Sequence, residues 1–295
     1  MRGATARRLA IDGATVRVED LGLGWRSHLL ACRFGAEIAE RDDCIVLRSP
    51  GNPSYYWGNC LILPAAPRDD ELAHWLARFD EEIARHQPES RHCAFGVNAA
   101  AIDSALPAWR AAGIDEFDEM AVLTLEASGV APQPAVRDTP SLVLRALSLA
   151  DELELAVEAQ VAARDESFEA EGYRIFRRRA MQRMAQMQAA GIAQWFGALV
   201  NGDLAADCGL VHDGALARFQ FVETQAAWRR RGLCRALIHH VCRHAFDALG
   251  LQRLVMCADP HDVAIGIYRS VGFMQVESHW CLQRRPARDR DGPRL

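Results

Sequence analysis

The chain has 295 residues, 50% hydrophobic and 25% charged, with a net charge of −5. That is globular material, long enough for two cores; its charge argues against a nucleic-acid partner, and no apolar run reaches membrane-spanning length. All 34 basic residues are arginine, and the nine cysteines stand singly with no C-x-x-C pair, so reduced thiols in a cytoplasm are expected.

Residues 1–12 carry Arg2, Arg7 and Arg8 without periodicity and are expected to dock loosely. A short helix is expected over 25–34, and a strand over 44–47 closed by the turn cluster 48–51. The adjacent aromatics Tyr55, Tyr56 and Trp57 precede a strand over 60–63; they could line a cleft, cap a core or face the second half of the chain. Leu72, Trp75, Leu76, Phe79 and Ile83 share one face of a helix over 70–85. Strands over 93–97 and 120–125 flank a helical segment over 105–111. The stretch 128–134, with two prolines and no apolar periodicity, reads as a linker and divides the chain into 1–132 and 133–295.

The second part opens with a strand over 142–147, then a helix over 151–163 that Asp151 can cap. In the helix over 174–190, Met181, Met184 and Met187 recur at threes and read as packing. Strands over 192–200 and 205–211 are joined by Asn201-Gly202, a hairpin signal. A strand over 216–224 leads to Trp228-Arg229-Arg230-Arg231-Gly232-Leu233-Cys234-Arg235, where the apolar stripe of a helix begins. Strand, arginine-rich loop, glycine and helix aim free backbone N–H groups at one point, an arrangement suited to phosphate, with Gly232 letting the backbone approach it. A solvated arginine run or a basic nucleic-acid patch is the bland alternative. His239, His240, Cys242 and His244 crowd the helix; His240 and His244 have a chelating spacing but no acidic third ligand, so no metal is expected. A buried strand over 253–257, a helix starting at Asp259-Pro260 and ending at Gly272-Phe273, and a final strand through Leu282 follow. The tail 286–295 is expected to be disordered.

Two patterns in this order resemble the GNAT superfamily of acyl-CoA-dependent N-acyltransferases. Arg229-x-x-Gly232-x-Cys234 is similar to its pyrophosphate motif, with Cys234 replacing a small residue, and Ala264-x-x-Ile267-Tyr268-x-x-x-Gly272-Phe273 resembles its second signature. The resemblance implies a mixed α/β (α+β) fold: a mostly antiparallel sheet flanked by helices, with the helices over 151–190 overhanging the acceptor. Ala112-Gly113-Ile114, placed where such a domain carries Gly-Phe, resembles a degenerate first copy without a cofactor loop, as in tandem GNAT proteins.

By the same resemblance, acetyl-CoA is the co-substrate. Val222, Glu223 and Thr224 run along its pantetheine arm, and Arg229, Arg230, Arg231, Gly232, Leu233, Cys234 and Arg235 hold the pyrophosphate. His261 stands where relatives often have asparagine. Tyr268 matches a general acid near the thioester sulfur. Glu223 could take the amine's proton; strand alternation, placing it with Phe219 and Phe221, could equally turn it away. The expected activity is cytoplasmic acetylation of a primary amine on a small molecule or peptide, without metal, nucleic acid or membrane. An acetyl-CoA sensor without turnover and a transferase of longer acyl groups remain as alternatives.

Overall fold

The computed structural model describes residues 15–137, 139 and 141–286. Residues 1–12, and all but Pro286 of the segment 286–295, lie outside the described residues. The first half contains α1 (Leu23–Cys32), β1 (Glu37–Glu40), β2 (Ile45–Arg48), β3 (Cys60–Leu63), α2 (Leu72–Phe79), β4 (Cys93–Val97), α3 (Pro107–Ala111) and β5 (Glu116–Leu125). The second contains β6 (Leu142–Leu147), α4 (Leu153–Ala163), α5 (Ala170–Ala189), β7 (Ala193–Val200), β8 (Asp203–His212), β9 (Leu216–Thr224), α6 (Leu233–Asp247), β10 (Arg253–Ala258), α7 (Val263–Val271) and β11 (Met274–Arg284).

Local chemistry accounts for most of these boundaries. Asn201 and Gly202 both have positive φ, 54° and 91°, as a two-residue hairpin requires. Several helix starts differ from the sequence expectation: α5 begins at Ala170, before the expected 174, where the Glu169 carboxylate accepts from the Glu171 and Gly172 amides, and two others involve aspartates. The Asp151 carboxylate accepts a hydrogen bond from Ser148 Oγ at 2.8 Å, and Glu152 takes the N-cap position of α4. The Asp259 carboxylate accepts from the His261 amide at 2.7 Å, closing a local turn, so α7 begins later, where Asp262 accepts from the Ala264 amide. β1 was hidden by its sequence, Glu-Ile-Ala-Glu: it is a partly exposed strand at the sheet edge with little apolar content.

All eleven strands form one sheet in the order β1-β2-β3-β4-β11-β5-β10-β9-β8-β7-β6. Neighbours are antiparallel except β3 with β4 and β9 with β10. The two centre strands are exchanged. β11, from the second half, lies between β4 and β5, while β5, from the first, lies between β10 and β11. The halves also share an order of elements: α3 leads through Gly113, just past its C-cap, into β5 as α7 leads through its C-cap Gly272 into β11, both glycines having positive φ.

Helices cover both faces. Leu237, Val241, Ala245 and Phe246 of α6 pack with Phe196, Leu254 and Phe273, as expected from the stripe of that helix. On the opposite face Val157 of α4 and Met181, Met184 and Met187 of α5 enclose Trp195 and Val211, so the methionine repeat is core packing. α1 lies on this second face and crosses between the halves: Arg218 Nη1 of β9 donates to Gly24 O at 2.9 Å and Ser27 Oγ at 2.8 Å.

Candidate active site

The candidate site is built where β9, still paired with β8, parts from β10. Its parallel pairing with β10 covers only Leu216–Arg218, opposite Arg253–Val255. Farther along, Gly209 of β8 opposes Gln220 but Asp207 opposes Glu223, so Phe221 and Val222 share one partner position. Phe221 has φ of 50°, and this bulge bends the strand. The end of β9 therefore leaves β10, opening a wedge that carries the β10-side backbone of Val222, Glu223 and Thr224. β3 shows the contrast in the first half: Leu61, Ile62 and Leu63 pair with β4 to the strand's end, without a bulge.

Beyond β9 a 3-10 turn, Ala226–Trp228, leads into the arginines. Arg229 Nε donates to Thr224 O at 3.1 Å, Arg231 stacks its guanidinium 4.7 Å from the Trp228 ring centre, and Arg229 and Arg230 are exposed. Gly232 is the N-cap of α6, with φ of 84° and no capping side chain, so the first amides of this helix have no side-chain acceptor. The glycine also has a structural reason: a Cβ there would lie 3.2 Å from Ala135 O, because the linker crosses here and the Arg137 amide donates to Arg231 O at 3.3 Å. Leu233 is buried and anchors the loop against Val200 and Ala205. Cys234 is half-buried, its thiol pushed up to about 11 by burial. Arg235 Nη2 donates to Ser270 O at 3.2 Å, and its buried Nε has no hydrogen-bond partner. His261 lies in an exposed turn before α7.

The bulge also decides where Glu223 points. Phe219 packs against Phe273 on the α6 face, ring centres 6.0 Å apart, whereas Phe221 lies against Trp195 on the α4/α5 face. Glu223 follows Phe221 and shares that second face with Asp207, so simple alternation from Phe219 does not apply. The carboxyl is half-buried, and burial raises its pKa above the ordinary carboxylate value against the opposing pull of Arg177 and Arg229. Tyr268 of α7 is 5% exposed; burial, then the charges of Cys234, Cys208 and Glu223, push its hydroxyl well above its usual pKa, so it keeps its proton.

Sequence reasoning passed over a polar cluster beside Glu223. Asp207, 1% exposed, accepts from Gln160 Nε2 at 2.8 Å and Trp195 Nε1 at 3.1 Å, and burial pushes its carboxyl up to about 7. Arg177 of α5, 6% exposed, stands 4.3 Å over the Phe221 ring and donates through Nε and Nη2 to Tyr173 Oη at 2.8 and 2.5 Å. Two signals were available: an aspartate inside an apolar strand, and an arginine at the i−4 and i−7 positions of Met181 and Met184 on the buried stripe of its helix.

Of the three aromatics in the first half, Tyr55 reaches the same region. It is buried, with its ring 5.7 Å from Phe176 and 6.5 Å from Phe221, so it joins the two halves. Tyr56 lies 4.6 Å from the His92 ring and Trp57 lies 6.3 Å from Trp25, within the first half. His240 and His244 set their rings edge-on to Phe196 at 6.3 and 5.3 Å. No group of three metal-ligating side chains occurs among the described residues.

Residues 157–273 match the family model described as Acetyltransferase (GNAT) family. No curated protein matches the chain. Among solved structures, a conserved protein of unknown function from Staphylococcus epidermidis is 13% identical with a TM-score of 0.68, covering 94% of this chain and 96% of its own. A GCN5-related N-acetyltransferase from Kribbella flavida is 14% identical with a TM-score of 0.59, covering 88% and 93%. A tandem GNAT protein from the clavulanic acid biosynthesis pathway is 14% identical with a TM-score of 0.52, covering 94% of each chain. At these identities the likeness is one of fold. No helix among the described residues is long and apolar enough to cross a membrane.

Proposed function

We propose that this chain, whose residues 157–273 match the GNAT acetyltransferase family model, transfers an acetyl group from acetyl-CoA to a primary amine. That match supports acyl-CoA-dependent N-acyl transfer in general; the acetyl donor and amine acceptor are the finer reading. One observation carries it: the bulged end of β9 leaves β10 and leads, through the turn at Ala226–Trp228 and the exposed Arg229 and Arg230, to a helix start without a side-chain cap. An extended strand edge suits the amides of a pantetheine arm, and uncapped helix amides with guanidinium groups suit a pyrophosphate. The co-substrate supplies an acyl thioester. Val222, Glu223 and Thr224 would hold its arm, and Arg229, Arg230, Arg231 and the amides from Gly232 to Arg235 its phosphates. No contact from His261 is included in this reading.

The residues then divide the proton work. A carboxylate at Glu223 takes the proton of the incoming ammonium, directly or through water; the neutral amine attacks the thioester carbonyl, the C–N bond forming and the C–S bond breaking, and the proton then shed by the amide nitrogen replaces the one that Tyr268 gives to sulfur. Tyr268, kept protonated by burial, gives its proton to the departing sulfur. The boundary between 132 and 133 is kept as the division between two related halves, supported by their shared order of elements. The first half, whose β3 stays paired with β4, is assigned no co-substrate of its own.

Calorimetry with acetyl-CoA tests this reading, followed by thiol release across an amine library. One molecule should bind per chain. Arg230→Glu, at an exposed position, should weaken binding at least tenfold, about 1.4 kcal/mol. A stoichiometry of two, or unchanged affinity in the variant, would overturn the assignment of the loop; tighter binding of longer acyl-CoAs would change the donor.

A further inference from the structure

We infer that the acceptor is an amine that also carries a carboxylate, an amino-acid-like molecule whose carboxylate is held by Arg177. This deepens the acetyl-transfer reading and rests on it. Arg177 is 6% exposed, and its Nη1 has no hydrogen-bond partner. A guanidinium presents five donors in a rigid fork, and here two of its nitrogens are spent on one phenolic oxygen, Tyr173 Oη. A buried cation left this way is costly unless something anionic completes it. Neither nearby carboxylate hydrogen-bonds it: Asp207, which accepts from Gln160 and Trp195, and Glu223 both act on Arg177 through space only.

A second buried atom in the same cluster lacks a partner. Gln160 uses its Nε2 on Asp207 and on Phe221 O, and its Oε1 has none. An unsatisfied donor and an unsatisfied acceptor therefore lie around Phe221, beside two carboxyl groups. That is the complement of a zwitterion, with a carboxylate for Arg177 and an ammonium for Gln160 and Glu223. Around these two atoms Tyr173, Phe176, Phe221 and Glu223 are each only half-buried. Their rings offer flat apolar walls to a side chain. Proton release toward Glu223 then happens at the amine end, with the carboxylate fixing which end that is.

The test compares acceptors that differ only in the carboxylate: L-phenylalanine and L-leucine against phenethylamine and isopentylamine, and against the amino-acid amides, scored by thiol release from acetyl-CoA. Aminophosphonates show whether any anion serves. Free amino acids should exceed their amide and decarboxylated forms by roughly 10²-fold in kcat/KM, because a site built to hydrogen-bond a group rejects the analogue lacking it. Arg177→Gln should raise the acceptor KM by a similar factor while leaving acetyl-CoA affinity unchanged, and Arg177→Lys should recover part of it. Equal turnover of the decarboxylated amines overturns the inference, and so does an unaltered KM in a folded Arg177→Gln variant. Should no amine of any kind be acetylated, the transferase reading fails; the subsite is then read from calorimetric binding of the same amino acids to the wild-type chain. Binding lost in the amide series supports it, and no binding refutes it. Because the acceptor series needs only the wild-type protein, poor folding of the variant does not protect the proposal.

Discussion

At the scale of single residues, the roles proposed for Glu223 and Tyr268 rest on different consequences of burial. Burial raises the pKa of both acids, but at neutral pH the effects differ: Glu223 comes closer to neutrality, and Tyr268 rests in its protonated form. A base works only when deprotonated, so activity should rise with pH through the Glu223 titration. That limb belongs jointly to Glu223 and its cross-strand neighbour Asp207, whose carboxyl is pushed up to about 7, and should lie above the ordinary carboxylate range. Glu223→Gln should lower kcat/KM and flatten this acidic limb, while Tyr268→Phe should lower kcat by roughly 10²-fold with acetyl-CoA affinity nearly constant. A pH–rate profile of Glu223→Gln superimposable on that of the native protein would move the base elsewhere.

At the scale of elements, the sequence was most legible where one chain segment carries its own signal. The arginine loop, the stripe of α6 and the Asn201-Gly202 hairpin each depend on neighbours a few residues away, and each stands as expected. The bulge at Phe221 was not legible. Phenylalanine is an unfavoured residue at φ of 50°, and its conformation is held by contacts from distant elements, among them Gln160 Nε2 on its carbonyl and Arg177 over its ring. With the bulge hidden, the side on which Glu223 lies was hidden too. The exchanged strands were equally invisible, since pairing in the sheet centre is set by tertiary fit. Gly272 ties both levels together. It ends α7 with φ of 116°, and a Cβ there would stand 2.0 Å from Gly129 O, in the linker region. Gly272→Ala should therefore cost about 2–4 kcal/mol, from the positive φ and from forcing two backbones apart. A change in urea-derived stability below about 0.5 kcal/mol would mean that the linker moves aside freely.

At the scale of the whole molecule, the exchange of β5 and β11 changes what a half of this protein is. A fragment starting near Pro134 keeps the complete arginine loop, and on motifs alone it is expected to keep some co-substrate affinity. In the structure that fragment lacks β5, which pairs β10 along Leu254–Ala258 and β11 along most of its length. Without β5, β10 keeps only its short pairing with β9, and β11 loses a neighbour on each side, because β4 is removed as well. The core on the α6 face also loses Ala121, Leu123 and Leu125 of β5. Both losses fall beside α7 and Tyr268, so they reach the site as well as the fold. The full chain should unfold in one cooperative transition, with the same denaturant midpoint from far-UV circular dichroism as from the fluorescence of single-tryptophan variants retaining Trp109 or Trp195. Residues 133–295 expressed alone should lack a cooperative transition and bind acetyl-CoA at least tenfold more weakly than the full chain, a loss of about 1.4 kcal/mol. Co-expression with residues 1–132 should restore both. Full affinity and a sharp transition in the isolated fragment would show that β5 is a replaceable cover and that the second half is complete without it.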